Sequence, residues 1–134
     1  MKNETLNDHM FRLSLKAIIR NDKNEILVVK EKGSQWTLPG GGLDHNEDLM
    51  VGLSRELREE VAFEGGFEAE VVAVSEPMWL SNKLIWQVWI VYNVKPESHT
   101  FAKGPDADEI AFMDPNLFKD SPHRSEQLIY KYST

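Results

Sequence analysis

Between Gly41 and Phe63 the chain reads G-x5-E-x7-R-E-L-x-E-E-x-A-F, with Glu47 ahead of the run Arg55-Glu56-Leu57-Arg58-Glu59-Glu60. No other stretch restricts the fold as much, because these charges must all be placed at once. On a helix turning about 100° per residue, Glu56, Glu59 and Glu60 fall within roughly a third of the circumference. Met50, Leu53, Leu57 and Val61 form an apolar stripe beside them at helical spacing. The spacing predicts a helix with one face on a core and the neighbouring face carrying three carboxylates. Like charges so placed each cost roughly a few tenths of a kcal/mol on an exposed helix. A hard divalent cation removes that penalty.

The segment before this helix points the same way. Leu38-Pro39-Gly40-Gly41-Gly42 reads as a loop that puts three glycines ahead of Asp44 and Asn46, either of which suits a helix cap. Gly41 and Gly42 let the backbone approach a metal or a substrate phosphate with no Cβ in the way. Mg²⁺ takes oxygen ligands, and commonly a few carboxylates plus substrate phosphates. Three acids beside a glycine carbonyl match that preference. The chain has no cysteine for a thiolate site, and its four histidines show no metal-ligand spacing.

This pattern resembles the box of the Nudix hydrolases, G-x5-E-x7-R-E-(apolar)-x-E-E-x-G-(apolar), at every position except Ala62, where the family has glycine. The box covers under a fifth of the chain. The resemblance implies an α/β (α+β) fold, an α/β/α sandwich with a mixed sheet between helices. It also implies hydrolysis of a nucleoside diphosphate linked to another group, by water attacking phosphorus with Mg²⁺ (or Mn²⁺). Carried over residue by residue, Glu56, Glu59 and Glu60 are the metal-binding acids and the Gly40 carbonyl a further ligand. Arg55 orients the acidic cluster, and Glu47 supports the loop and the helix start. Members of the family are often dimers, so a homodimer belongs to what the resemblance implies.

Three positions depart from the family pattern. Ala62 takes positive φ less cheaply than glycine, which predicts a different helix exit, with Gly65-Gly66 supplying the turn. Asn46 replaces a frequent glycine and tolerates left-handed geometry. Gly52 lies mid-helix, where it costs up to about 1 kcal/mol and marks close packing.

Composition sets outer bounds. With 134 residues and 41% apolar content, residues 1–134 are expected to form a single domain with a core of ordinary size. A net charge of -7 argues against a basic surface for long nucleic acid. A small anionic substrate remains compatible, because a bound cation reverses the local sign. No run is long and apolar enough to span a membrane, and the N-terminus lacks a signal peptide's apolar segment, so a cytoplasmic location is the expectation.

Along the chain, Met1–His9 reads as frayed or as a short first strand. Residues 11–19 and 25–29 read as strands joined by the turn Asn21-Asp22-Lys23-Asn24. Residues 67–74 alternate, and residues 84–94 form a longer strand with Leu84, Trp86, Val88, Ile90 and Tyr92 on one face. Glu109–Met113 reads as a short strand; Pro115–Phe118 and Ser125–Tyr130 read as terminal helices. Strands around a central helix suggest a mixed sheet between helices.

Among the remaining candidates, Trp36 and Trp79, near predicted loops, offer indole faces to a base, whereas Trp86 and Trp89 suit sheet packing. His45 reads as an exposed loop residue. Lys30 and Lys32 end a strand near the glycines, within reach of phosphate. Asp106, Asp108 and Glu109 form an acidic stretch from which Glu109 is the choice for an extra ligand or base. The expected substrate is a small nucleotide, first a nucleoside triphosphate (intact or damaged) giving a monophosphate. ADP-ribose, a dinucleotide or a capped RNA end are the alternatives. Two other classes compete: a nucleotide-sensing module without turnover, and a scaffold whose acidic helix meets a basic partner.

Overall fold

Strand β1, Phe11–Ile18, ends in a run in which every residue from Ser14 to Ile19 is buried. A strand covered on both faces needs no alternation of apolar and polar positions, and β1 lies at the centre of such an arrangement. The structure is a computed structural model that describes residues 10–31, 33 and 35–134. Met1–His9 and Lys32 lie outside the described residues.

The remaining elements follow in order: β2 Ile26–Lys30, β3 Trp36–Thr37, β4 Gly40–Gly42, α1 Leu49–Val61, β5 Phe67–Val74, β6 Met78–Leu80, β7 Ile85–Pro96, β8 Glu109–Met113, a 3-10 turn Pro115–Phe118 and α2 Arg124–Ser133. One sheet runs β4-β1-β7-β5, with β6 also on β7. Within it β1 pairs parallel with β7, Leu15 facing Ile90, while the other pairings are antiparallel. A parallel pair requires a long crossover, and α1 lies within it. A second, antiparallel sheet has the order β3-β2-β8. The expected mixed sheet is present, and a small antiparallel sheet accompanies it.

Alternate residues of the central strands serve two cores. Leu15, Ala17, Leu27, Val29, Tyr92 and Val94 pack with Leu53, Leu57 and Val61 of α1. Ile18, Val28, Trp89 and Val91 pack with Phe118 and with Ile129 of α2. The two helices therefore cover opposite faces, which gives the α/β/α layering.

Several local readings are corrected. Met50 is not part of the buried stripe and is 41% exposed. The glycines form strand β4 on β1 rather than a free loop. The N-cap of α1 is Asp48, not Asp44 or Asn46, and its side chain makes no cap hydrogen bond. Asn46 is left-handed, φ 60°, as its chemistry allows. Ala62 takes the left-handed exit itself, φ 53° and ψ 33°, so Gly65-Gly66 are not needed for it. Leu84 stands outside β7, exposed and with φ 52°. Trp36 and Trp79 lie on the short strands β3 and β6. Trp86 is 39% exposed and packs against Trp79, with ring centroids 5.4 Å apart. Both short strands were missed because two or three residues carry too little periodicity to register.

Candidate active site

The acidic helix and the glycine strand meet through Arg55. Its Nε donates to Glu47 Oε2 at 2.7 Å and its Nη2 to Glu47 Oε1 at 3.0 Å, a bidentate pair. Nη2 also donates to the Gly42 carbonyl at 2.9 Å. Nη1 donates to Glu56 Oε1 at 2.9 Å and to Glu59 Oε2 at 3.2 Å. One guanidinium therefore ties the β4 backbone, the turn before α1 and two acids of the helix together. Glu47 Oε1 also accepts from the Asp44 amide at 3.0 Å, closing that turn. These bonds, led by Arg55, hold the Glu47 carboxyl down at about 2.

Glu60 takes a different partner. It is 2% exposed, and its Oε1 accepts from the Gly40 amide at 2.6 Å. Burial pushes its carboxyl up to about 9, and the neighbouring Glu31 carboxyl pushes the same way. Burial also raises Glu56, against the pull of Arg55. Two glycines make the close approach possible. A Cβ on Gly41 would lie 2.5 Å from Glu56 Oε2. Gly40 has φ 137°, and a Cβ there would lie 1.8 Å from the Leu15 carbonyl oxygen. Gly52 likewise gives α1 a close approach, to Leu43 and Glu47.

The three acids are thus brought to one corner but split between two donors, Glu56 and Glu59 on Arg55 and Glu60 on Gly40. Among the described residues, no three His, Asp or Glu side chains converge closely enough to hold a metal as they stand. The donor set still fits a hard cation. It consists of carboxylate oxygens, and a buried acid beside a second acid is where a cation replaces a proton.

The other candidates are dispersed. Glu109 is exposed and pairs with Lys30, Oε2 to Nζ 3.7 Å. Lys30 Nζ also lies 4.6 Å from the Trp36 ring centroid. The acidic stretch before β8 does reach the helix. The amides of Gly104 and Asp106 donate to the Glu60 and Glu59 carbonyls at 2.9 and 3.0 Å, satisfying the end of α1. His45 is exposed. Sequence reasoning missed Lys16 and Arg12. Lys16 is 5% exposed, and its charge acts on both Glu56 and Glu60. Arg12 Nη1 donates to the Leu43 carbonyl at 3.1 Å, above Gly42. A lysine interrupting the apolar run Leu15-Lys16-Ala17-Ile18-Ile19 was the available signal for Lys16.

Comparison with known proteins extends this geometry. A family model described as NUDIX domain matches residues 10–131. The RNA pyrophosphohydrolase of Ruthia magnifica subsp. Calyptogena magnifica is 37% identical over 71 residues, covering 52% of this chain and 38% of that protein. The chain therefore spans well under half the length of that relative. Among solved structures, the MutT protein from Methanosarcina mazei Go1 superposes with a TM-score of 0.71 over 92% of each chain, at 18% identity. The MutT NUDIX hydrolase from Burkholderia pseudomallei also gives a TM-score of 0.71, over 93% of this chain and 99% of its own, at 20% identity. These two likenesses concern the fold.

Proposed function

This chain belongs to the NUDIX family, and from that premise we propose that it hydrolyses a pyrophosphate bond in a nucleotide-derived substrate, with Mg²⁺ or Mn²⁺ on Glu56, Glu59 and Glu60. The observation that carries the reading is the Arg55 clamp, which holds Glu56 and Glu59 on one side of β4 while Gly40 holds Glu60. A cation held by these three acids would supply charge stabilisation at the phosphate oxygens and lower the pKa of water bound to it. The chain's own part is positioning. Arg55 and Glu47 fix the direction of α1 against β4, and Gly41 leaves the space beside Glu56 open. The Gly40 carbonyl is proposed as a further ligand. Glu59, with its side chain a third exposed, is the acid of the three with most access to water and is assigned the proton from it.

Within that class the first reading is a nucleoside triphosphate cleaved to a monophosphate, supported by the net charge of -7, which gives no basic track for long nucleic acid. A second reading, the 5′ end of an RNA, is favoured by the name of the Ruthia relative. Hydrolysis assays on nucleoside triphosphates, ADP-ribose, dinucleotides and 5′-triphosphorylated RNA, with and without Mg²⁺ or Mn²⁺, decide between them. Glu59→Gln and Glu60→Gln are each expected to lower kcat by about 10² to 10³. Turnover that ignores metal, or survives both substitutions, sinks the proposal. Binding without turnover on any substrate points to a sensor.

A further inference from the structure

The carbonyls at the end of a helix have no donors within it. In α1 these belong to the last turn, which carries Glu59 and Glu60. A segment from far along the chain supplies the donors. The Ala102, Gly104 and Asp106 amides donate to the Val61, Glu60 and Glu59 carbonyls at 3.0, 2.9 and 3.0 Å. The same strap then crosses to the small sheet, where the Asp108 amide donates to the Lys30 carbonyl of β2 at 2.8 Å. It therefore ties the main chain of two of the acids to a strand of the other sheet.

The shape of the strap is set by a turn. The Ala107 amide donates to the Gly104 carbonyl at 3.3 Å, which puts Pro105 second in the turn, where its fixed φ is favoured. Gly104 and Ala107 are buried and Pro105 is exposed. Space requires the glycine. A Cβ on Gly104 would collide with the Glu59 carbonyl oxygen and lie 2.6 Å from its carbon and 2.9 Å from the Glu60 carbonyl carbon. All three are backbone atoms of the helix and cannot swing aside as a side chain can.

The Arg55 clamp leaves this task open. Its bond to Glu59, at 3.2 Å, is the longest of its hydrogen bonds, and the Glu59 side chain is a third exposed. Arg55 also lies one turn before Glu59, so it anchors the helix ahead of the last turn rather than in it. We propose that the strap of residues 102–108 positions Glu59 and Glu60 for the cation, and that Gly104 is the positioning residue on which its close approach depends. Gly104 acts through the two carbonyls and touches neither cation nor substrate. The proposal rests on the hydrolase reading for what the acids hold. Losing a group that orients a metal ligand costs about 10–100-fold in metal affinity or activity, and a misplacement of about 1 Å costs on the order of 10² in rate.

The test is calorimetric binding of Mn²⁺ to the full chain, for the wild type, Gly104→Ala, Pro105→Gly and Ile129→Ala, with denaturant melts and amide hydrogen exchange in EDTA. Gly104→Ala is expected to raise the Mn²⁺ Kd and to lower kcat at saturating Mn²⁺, each by about tenfold or more. The amides of residues 104 and 106 are expected to lose protection from exchange in the same variant. Pro105→Gly adds no atoms and only loosens an exposed turn, so it reads the strap even where Gly104→Ala fails to fold. It is expected to weaken Mn²⁺ binding about two- to fivefold. Ile129 lies in the core on the α2 side, away from the strap. Ile129→Ala lowers stability alone and is expected to keep the wild-type Mn²⁺ affinity. Wild-type affinity in the folded strap variants, or an equal loss in Ile129→Ala, overturns the proposal while leaving the hydrolase reading intact. A wild type that neither binds Mn²⁺ nor turns over any substrate overturns the hydrolase reading, and this inference with it.

Discussion

The acidic corner and the cleft of about 250 Å³ beside it, lined by Lys16, Glu31, Gln35, Thr37, Gln87 and Trp89, are built from opposite principles. At the corner, Arg55 satisfies Glu47, Glu56, Glu59 and the Gly42 carbonyl, and the Gly40 amide satisfies Glu60. In the cleft, Lys16 and Trp89 are buried with donors left over. At the corner each of these carboxylates meets a donor, whereas in the cleft buried donors meet no full set of acceptors.

Removing the cation from each region tests that contrast most severely. Arg55→Met leaves the buried Glu56 carboxyl without its counter-charge. It is expected to destabilise the metal-free protein by about 3 kcal/mol in denaturant titration. Arg55→Lys is expected to recover little, because a point charge cannot reproduce the bidentate pair with Glu47 and the bond to Gly42. Lys16→Met removes a buried ammonium with no ion-pair partner among the described residues and fills its space with an apolar chain. That change is expected to stay within about 1 kcal/mol of the wild type or to stabilise it. Equal losses from both would erase the distinction.

The same contrast explains what could be read in advance. The corner draws on residues 40–60, a single strand–turn–helix, so helical spacing put the three acids on one face, and the family resemblance added Glu47 and Arg55. The order of strands and helices suggested a mixed sheet between helices, and the α/β/α layering was what the resemblance implied. The cleft draws Lys16 from β1, Glu31 and Gln35 from around β3, Trp89 from β7 and Ser125 from α2. These residues become neighbours only through the parallel β1–β7 pairing and the second sheet, neither of which leaves a local signature. Trp36 and Trp79 were singled out for their type, but their strands were invisible at two and three residues. Glu109 was singled out for charge and instead pairs with Lys30 across the register of β2 and β8. How the three acids divide between Arg55 and Gly40 depends on β4 pairing with β1, which the glycines concealed by reading as a loop.

Glu60 gives the next test, through pH. Its carboxyl ordinarily titrates near 4.5 and in the folded chain near 9. Below the lower value folded and unfolded states both hold the proton. Between the two values only the folded state keeps it, so metal-free stability falls as pH rises, by up to about 1.4 kcal/mol per pH unit from this group. Melts in EDTA from pH 5 to pH 8 are expected to show a falling Tm that flattens in Glu60→Gln. Mg²⁺ is expected to offset the fall, by about 2.7 kcal/mol at a hundred times its Kd. A wild-type curve as flat as that of Glu60→Gln would mean that Glu60 is not held neutral, and the corner would lose its asymmetry between Glu60 and the Arg55-bound pair.

The smallest expected effect lies at the end of the same helix. Ala62 sits at φ 53°, where a Cβ is strained, yet the Phe63 amide still bonds to the Leu57 carbonyl at 3.2 Å. Packing compensates for the strain: Val61 is fully buried and Phe63 lies 5.4 Å from the Phe101 ring, holding the chain on both sides of the alanine. Glycine relieves the strain but gains freedom in the unfolded chain, so the two effects partly cancel. Ala62→Gly is expected to stabilise by no more than about 1 kcal/mol, with kcat unchanged, because the exit already has the left-handed geometry glycine would choose. Matched denaturant titrations and turnover assays on the two proteins measure this. A large gain in kcat with the same stability would mean that the alanine displaces Glu59 and Glu60, and that the corner is less fully determined by Arg55 and Gly40 than the contrast with the cleft requires.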